Sequence, residues 1–247
     1  MEEISVYDVS SRKDSLYDKI HEELSKYFKI KFNEIALEYE IFDITTKERL
    51  EFNESSILIH LHREKLNVSP QVFKTYLKSH FVERINPLTE YFENLQTWNG
   101  ENHIKKYASY VNTDDNELFY NHLLKWAVRA IKTVYFKEAI NKHVLVLEGG
   151  QSFGKSYYLN FLCPKELLKY LYTNIGVGKD ERIKLAKAII VNIEELDIMG
   201  KYDINAIKAL ISQVSINERL PYGDKSTLLY RTCSLLASTN RAEFLLS

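Results

Sequence analysis

The stretch of this chain richest in chemistry is Gly149-Gly150-Gln151-Ser152-Phe153-Gly154-Lys155-Ser156, a G-x-x-x-x-G-K-S pattern. It follows the apolar run Val144–Leu147 and precedes an apolar-rich segment. That is the strand–loop–helix setting a phosphate-binding P-loop requires. Gly149, Gly150 and Gly154, three of only 8 glycines in the chain, let the backbone curl its N–H groups around phosphate oxygens, with Gln151, Ser152 and Phe153 completing the cradle. The helix expected from Lys155 adds its N-terminal partial positive charge. Lys155 suits the β and γ phosphates of ATP, and the Ser156 hydroxyl suits Mg²⁺.

Two further signals follow in order. The apolar run Ala188–Ile193 ends in Glu194-Glu195, about forty residues beyond Lys155. Carboxylates at the C-terminal edge of a buried strand can hold Mg²⁺ and polarise an attacking water. Glu195 is the expected base or water-orienting residue and Glu194 the expected metal contact. A strand alternates faces, so Asn192 competes with Glu194 for the metal side. The last apolar run, Ser234–Ala237, ends in Ser238-Thr239-Asn240, and a polar amide at such a tip can orient the lytic water. Alone, a surface Glu pair or a Ser-Thr-Asn turn means little; the order after a P-loop gives them weight.

These residues need elements to hold them. Apolar positions four apart from Leu16 to Phe28 predict a helix over 15–28, and 35–42 and 49–52 read as strands. A helix capped by Ser55 or Ser56 and another from Ser69 to Phe81, with Pro70 at its first position, complete a small α+β module over 1–83. Asn86-Pro87 punctuates the chain, and 84–136 reads as a helical lead-in with helices over 88–95, 102–111 and 117–136. Lys125, Arg129 and Lys132 form a basic stripe on the last, read as a solvated face. From 137 onward, apolar runs at 144–147, 167–172, 188–193 and 234–237 alternate with helical patterns, which predicts a parallel sheet. A β-ribbon is expected over 216–230 around Pro221-Tyr222-Gly223-Asp224.

Hydrophobic residues make up 45% and charged residues 27%, ordinary for a soluble domain. Lys+Arg (33) and Asp+Glu (34) nearly cancel, so nucleic-acid binding would have to come from a local patch. Cys163 and Cys233 are too far apart for a zinc-type pair, and no run approaches the ~20 apolar residues of a membrane helix. A cytoplasmic protein is expected.

The segments LVLEGGQSFGKS, IIVNIEELD, IKALISQ, RLPYGDKS and LLASTNRAEFL, with NPLTEY and LQTWNG upstream, resemble the virulence-associated protein E family across about 84–247. That family belongs with the superfamily 3 helicase-like, AAA+ class of P-loop ATPases of phages and mobile elements. The resemblance implies an α/β P-loop NTPase core that binds ATP and Mg²⁺, assembles as a homo-oligomeric ring and works on single-stranded or forked DNA in a bacterial host cytoplasm. Lys155, Glu195 and Asn240 would be its catalytic Walker A, Walker B and sensor residues. The ribbon residues Arg219, Tyr222 and Lys225 would grip DNA. The family commonly has an acidic residue at the position of Asn192. Its members also continue beyond the point matching Ser247 to a catalytic arginine, so the core over 137–247 is expected to be truncated. Two other functions fit a P-loop: a nucleotide-gated interaction protein with little turnover, and a small-molecule kinase.

Overall fold

The computed structural model describes residues 15–176, 178–196, 201–219 and 226–240. The chain forms two compact units, Met1–Asn86 and Pro87–Ser247.

In the first unit, helix α1 (Leu16–Ser25) starts with a capping box in which Ser15 and Asp18 satisfy each other's backbone N–H groups. Strands β1 (Phe28–Asn33) and β2 (Glu38–Asp43) pair antiparallel, and the Asn33 side chain shapes their turn by accepting from the N–H groups of Ile35 and Ala36. Strand β3 (Arg49–Leu50) adds to β2, and β4 (Glu83–Ile85) lies parallel to β1, giving the order β3-β2-β1-β4. Helices α2 (Glu54–Arg63) and α3 (Pro70–Leu77) pack Ile57, Leu61, Phe73 and Tyr76 with Ile20 and Leu24 of α1 over Ile30 and Ile41 of the sheet.

Several local expectations shift here. Residues Phe28–Phe32 alternate apolar and polar, and this strand period prevails over the four-residue period that extended the first helix to Phe28. The cap of α2 is Asn53, whose Oδ1 accepts from the Ser56 N–H, rather than Ser55 or Ser56. Helix α3 ends at Leu77 rather than near Phe81. The units divide at Asn86–Pro87, where the sequence is punctuated; ending the module at 83 would cut β4, which holds β1 through Ile85.

The second unit is built on a wholly parallel sheet. Its strands are β5 (Leu145–Glu148), β6 (Leu171–Thr173), β7 (Ile190–Ile193) and β10 (Ser234–Thr239), in the order β5-β10-β7-β6. Every residue of β7 and β10 is buried, which is why both read as continuous apolar runs rather than alternating ones. Helices α4 (Pro87–Glu93), α5 (His103–Ala108) and α6 (Asn116–Tyr135) precede β5. The buried face of α6 carries Leu123, Trp126, Ala130 and Val134; Trp126 Nε1 donates to the Leu235 carbonyl at 2.9 Å and Thr133 Oγ1 to that of Thr232 at 2.7 Å.

Helix α7 (Lys155–Asn160) follows the Gly-rich loop, and α8 (Lys179–Lys187) precedes β7. Residues Lys165–Tyr170 form a 3₁₀ turn, so of the strand expected over 167–172 only its end, within Leu171–Thr173, joins the sheet. Leu167 and Tyr170, three apart, are both buried by this winding. Helix α9 (Lys201–Ser212) leads to the antiparallel ribbon of β8 (Ser215–Arg219) and β9 (Ser226–Tyr230), whose turn, with Tyr222 and Lys225, lies outside the described residues. Arg231, 1% exposed, anchors these parts by donating to the carbonyls of Leu210, Ile211, Asn141 and Cys233. Among the described residues no helix is long and apolar enough to cross a membrane.

Candidate functional site

Strand order determines what meets the Gly-rich loop. Because β10 lies between β5 and β7, the tip of β10 is the loop's immediate neighbour and the end of β7 is two strands away, about 10 Å at ordinary strand spacing. Register places Leu147 opposite Ser238 and Glu148 opposite Thr239, and the Gly149 N–H donates to the Thr239 carbonyl at 3.3 Å. All these strand ends are carboxyl ends, the edge at which open parallel sheets bind ligands.

The loop then curls over the sheet edge. Gly154 has φ +75°, a left-handed conformation that costs a residue with Cβ, and its carbonyl accepts the Tyr158 N–H in the first turn of α7. Lys155 folds back over the loop: its Nζ donates to the carbonyls of Gly149 and Gly150, each at 2.7 Å, and to Asn240 Oδ1 at 3.0 Å. Ser156 Oγ lies 3.2 Å from Ser238 Oγ. The structure thus brings Lys155, Ser156 and Asn240 together.

The residues at the end of β7 divide. Asn192 is fully buried beneath α7, with Nδ2 donating to Asn160 Oδ1 at 2.9 Å and reaching the Ser156 carbonyl at 3.5 Å, while its Oδ1 has no partner among the described residues. Glu194 is half-buried, with its N–H donating to Asn174 Oδ1. Glu195 is exposed at φ +53°. No side-chain bond joins either carboxylate to the loop among the described residues. Arg219 has its backbone in β8, and Tyr222 and Lys225 are not described. Nor does any group of three His, Cys, Asp or Glu side chains there form a metal-binding cluster. A metal held here would draw on the Ser156 hydroxyl and on oxygens of its own ligand, the usual situation for Mg²⁺ on a nucleotide.

Other neighbours of the loop escaped the sequence reading. Tyr107 of α5 and Tyr158 of α7 stack at 4.5 Å and exchange hydrogen bonds, each hydroxyl donating to the other's backbone carbonyl. Burial pushes both phenols far above their usual range, so they remain neutral donors. This pair clamps α5 to α7. Beside it, the segment between α5 and α6 faces the loop across a cleft of about 610 Å³ lined by Tyr110, Asn112, Thr113, Asp114, Phe153 and Lys155, among others. Nothing local in the sequence marks these contacts. Only Asn160 carried a signal, lying four residues after Ser156 and so on the same helix face.

The site therefore sits at the carboxyl edge of a parallel α/β sheet, with a basic loop on one side and polar strand tips on the other. The chain belongs to the virulence-associated protein E-like domain family, whose sequence model matches residues 92–247. The fold is also similar to solved structures of the NrS-1 C terminal region. The apo structure of that region (305-718) matches with a TM-score of 0.53 and 14% identity, covering 93% of this chain and 58% of that one. The A form apo structure matches with a TM-score of 0.48 and 15% identity, covering 91% and 56%. This chain thus spans under two thirds of the length of these two solved chains. No match is found among curated proteins.

Proposed function

We propose that the chain is a P-loop nucleotide-binding core that takes Mg²⁺–ATP on Gly149–Ser156 and serves as the DNA-dependent ATPase, of superfamily 3 helicase type, of a phage or mobile-element replication protein. The observation that carries this reading is the Lys155 ammonium drawn onto three oxygens at the mouth of the loop, one of them Asn240 Oδ1 from the tip of β10. An ammonium already surrounded by acceptors can exchange carbonyl oxygens for phosphate oxygens at little desolvation cost. The same exchange releases the Asn240 amide to face the terminal phosphate or its attacking water.

Backbone N–H groups of the loop and the start of α7 would receive the phosphates. The Ser156 hydroxyl, once parted from Ser238, would take Mg²⁺, which when bound would neutralise phosphate charge. Asn192 supports that position from below through the Ser156 carbonyl and Asn160. Glu195 is the proposed water-orienting base and Glu194 the carboxylate nearer the metal. The 610 Å³ cleft would seat the nucleoside, with Tyr110 and Phe153 offering aromatic faces. Cytoplasmic location, ring assembly and a DNA grip by Arg219, Tyr222 and Lys225 complete the proposal and rest on the family.

Titration calorimetry with Mg²⁺–ATP, together with turnover assays with and without single-stranded DNA, tests it. The full chain should bind, and Lys155→Ala should weaken binding at least about tenfold, roughly 1.4 kcal/mol. Equal binding by the variant would remove the loop from the site. DNA-stimulated turnover that vanishes in Glu195→Gln while binding persists is the expected signature of the motor.

A further inference from the structure

The cleft beside the Gly-rich loop has an aromatic side chain on each wall. On the loop side Phe153 is 79% exposed. Its ring leans on the loop backbone: a Cβ on Gly150 would come within 3.2 Å of it, so the bare glycine seats the ring. On the facing wall Tyr110 is 70% exposed and lies edge-on to Tyr107 at 6.4 Å, while Tyr107 is itself held by Tyr158. Both rings are supported on one side and open on the other, the condition for stacking a flat base.

The wall that carries Tyr110 has spent most of its donors. Thr113 gives its N–H and its hydroxyl proton to Asn116 Oδ1, at 2.8 and 3.0 Å. Asn112 Oδ1 accepts from Asn116 Nδ2 at 3.4 Å, and Asp115 caps α6 through the Leu118 N–H. Asp114 also lines the cleft, and its carboxylate makes no hydrogen bond or ion pair among the described residues. An unpaired surface carboxylate is ordinary; its place here is not. It stands across from Lys155 in a cleft proposed for a polyanion, where it repels phosphates and can only accept protons. A nucleoside triphosphate brings it two kinds of donor, the ribose hydroxyls and an exocyclic amine on the base. The ribose lies between base and phosphates and so nearer the loop, whereas Asp114 shares a segment with the ring that would stack the base.

We propose that Asp114 reads the base in this cleft, accepting a hydrogen bond from the exocyclic amine of a purine stacked between Tyr110 and Phe153. This rests on the Gly-rich loop taking a nucleoside triphosphate. It makes the site selective for amino purines over a purine that carries only a carbonyl, because that oxygen would meet the carboxylate with no proton between them.

The test is titration calorimetry of the full chain with ATP, GTP, ITP and tripolyphosphate, each with Mg²⁺. ATP or GTP should bind roughly fivefold more tightly than ITP, the worth of about one hydrogen bond. The tighter of the two identifies the amine as that of adenine or of guanine. Asp114→Ala should erase the ratio while leaving tripolyphosphate affinity undiminished and the melting temperature unchanged, since the residue is exposed. Asp114→Asn, which keeps an acceptor oxygen, should retain part of the ratio. Tyr110→Ala should weaken all three nucleotides alike and leave tripolyphosphate as it was. Equal binding of ITP, ATP and GTP by the wild-type chain would overturn the assignment and leave the ATP reading in place. So would a ratio that survives in Asp114→Ala. Equal binding of ITP and ATP with weaker binding of dATP would also overturn it, by giving the carboxylate to the ribose. Binding of neither nucleotide nor tripolyphosphate would instead remove the proposed function of the loop, and this inference with it.

Discussion

At the scale of single residues, the site depends on groups that are buried or strained before any ligand arrives. Asn192 is fully buried with one amide atom bonded to Asn160 and the other without a partner among the described residues. Asn192→Ala would leave Asn160 Oδ1 without this donor beneath α7, a loss of about 1–3 kcal/mol. Urea unfolding should show a lower midpoint at unchanged slope, and Mg²⁺–ATP affinity should fall with it because Ser156 loses its support. Gly154→Ala acts differently. A Cβ there meets nothing within 4 Å, so the cost is the left-handed backbone alone, about 1–2 kcal/mol. The melting temperature should drop modestly, while the proposed nucleotide binding, which would need the loop in this curl, should drop more. The G-x-x-x-x-G-K-S pattern was legible because its chemistry is contiguous. The choice between Asn192 and Glu194 was not, since strand alternation places both on the same side and only packing against α7 shows which one is buried.

At the scale of elements, the chain shows where periodicity suffices and where tertiary partners decide. Strands β7 and β10 and helix α6 follow directly from their apolar patterns, because each is buried along a full face or on both faces. Strand β1 and the 3₁₀ turn at Lys165–Tyr170 do not. Phe28 fits a helix stripe and a strand alternation equally well, and pairing with β2 selects the strand. The strand order β5-β10-β7-β6 is likewise invisible in the sequence, yet it determines that Asn240 rather than Glu195 meets Lys155. Two clamps between elements have measurable worth. Arg231 ties the end of α9 and the segment before β5 to the start of β10 through four backbone carbonyls in a site without water access. Arg231→Met should cost roughly 3 kcal/mol or more, because it leaves several buried acceptors unsatisfied. Tyr158→Phe removes one of the two bonds linking α7 to α5 and should cost about 1 kcal/mol, read as a small shift in denaturation midpoint.

At the scale of the whole molecule, two hydrophobic cores imply two unfolding events, and the chain carries probes that separate them. Both tryptophans, Trp98 and Trp126, and both cysteines lie after Pro87. Trp126 is 4% exposed, so its fluorescence follows the second unit. Burial pushes the Cys163 thiol up to about 11 and raises that of Cys233, which has no exposure at all. Both thiols stay protonated and shielded while the unit is folded, so thiol labelling should begin only when that unit opens. Far-UV circular dichroism reports both units, since the first contributes α1 to α3 and a four-stranded sheet. In a denaturant series, tryptophan emission and thiol labelling should therefore coincide, and circular dichroism should show an additional transition belonging to residues before Pro87. A fragment of residues 1–86 should reproduce that transition alone, whereas one ending at 82 loses β4 and the buried Ile85 and should unfold at lower denaturant or not fold. A single transition shared by all three probes would mean that the two cores are energetically one.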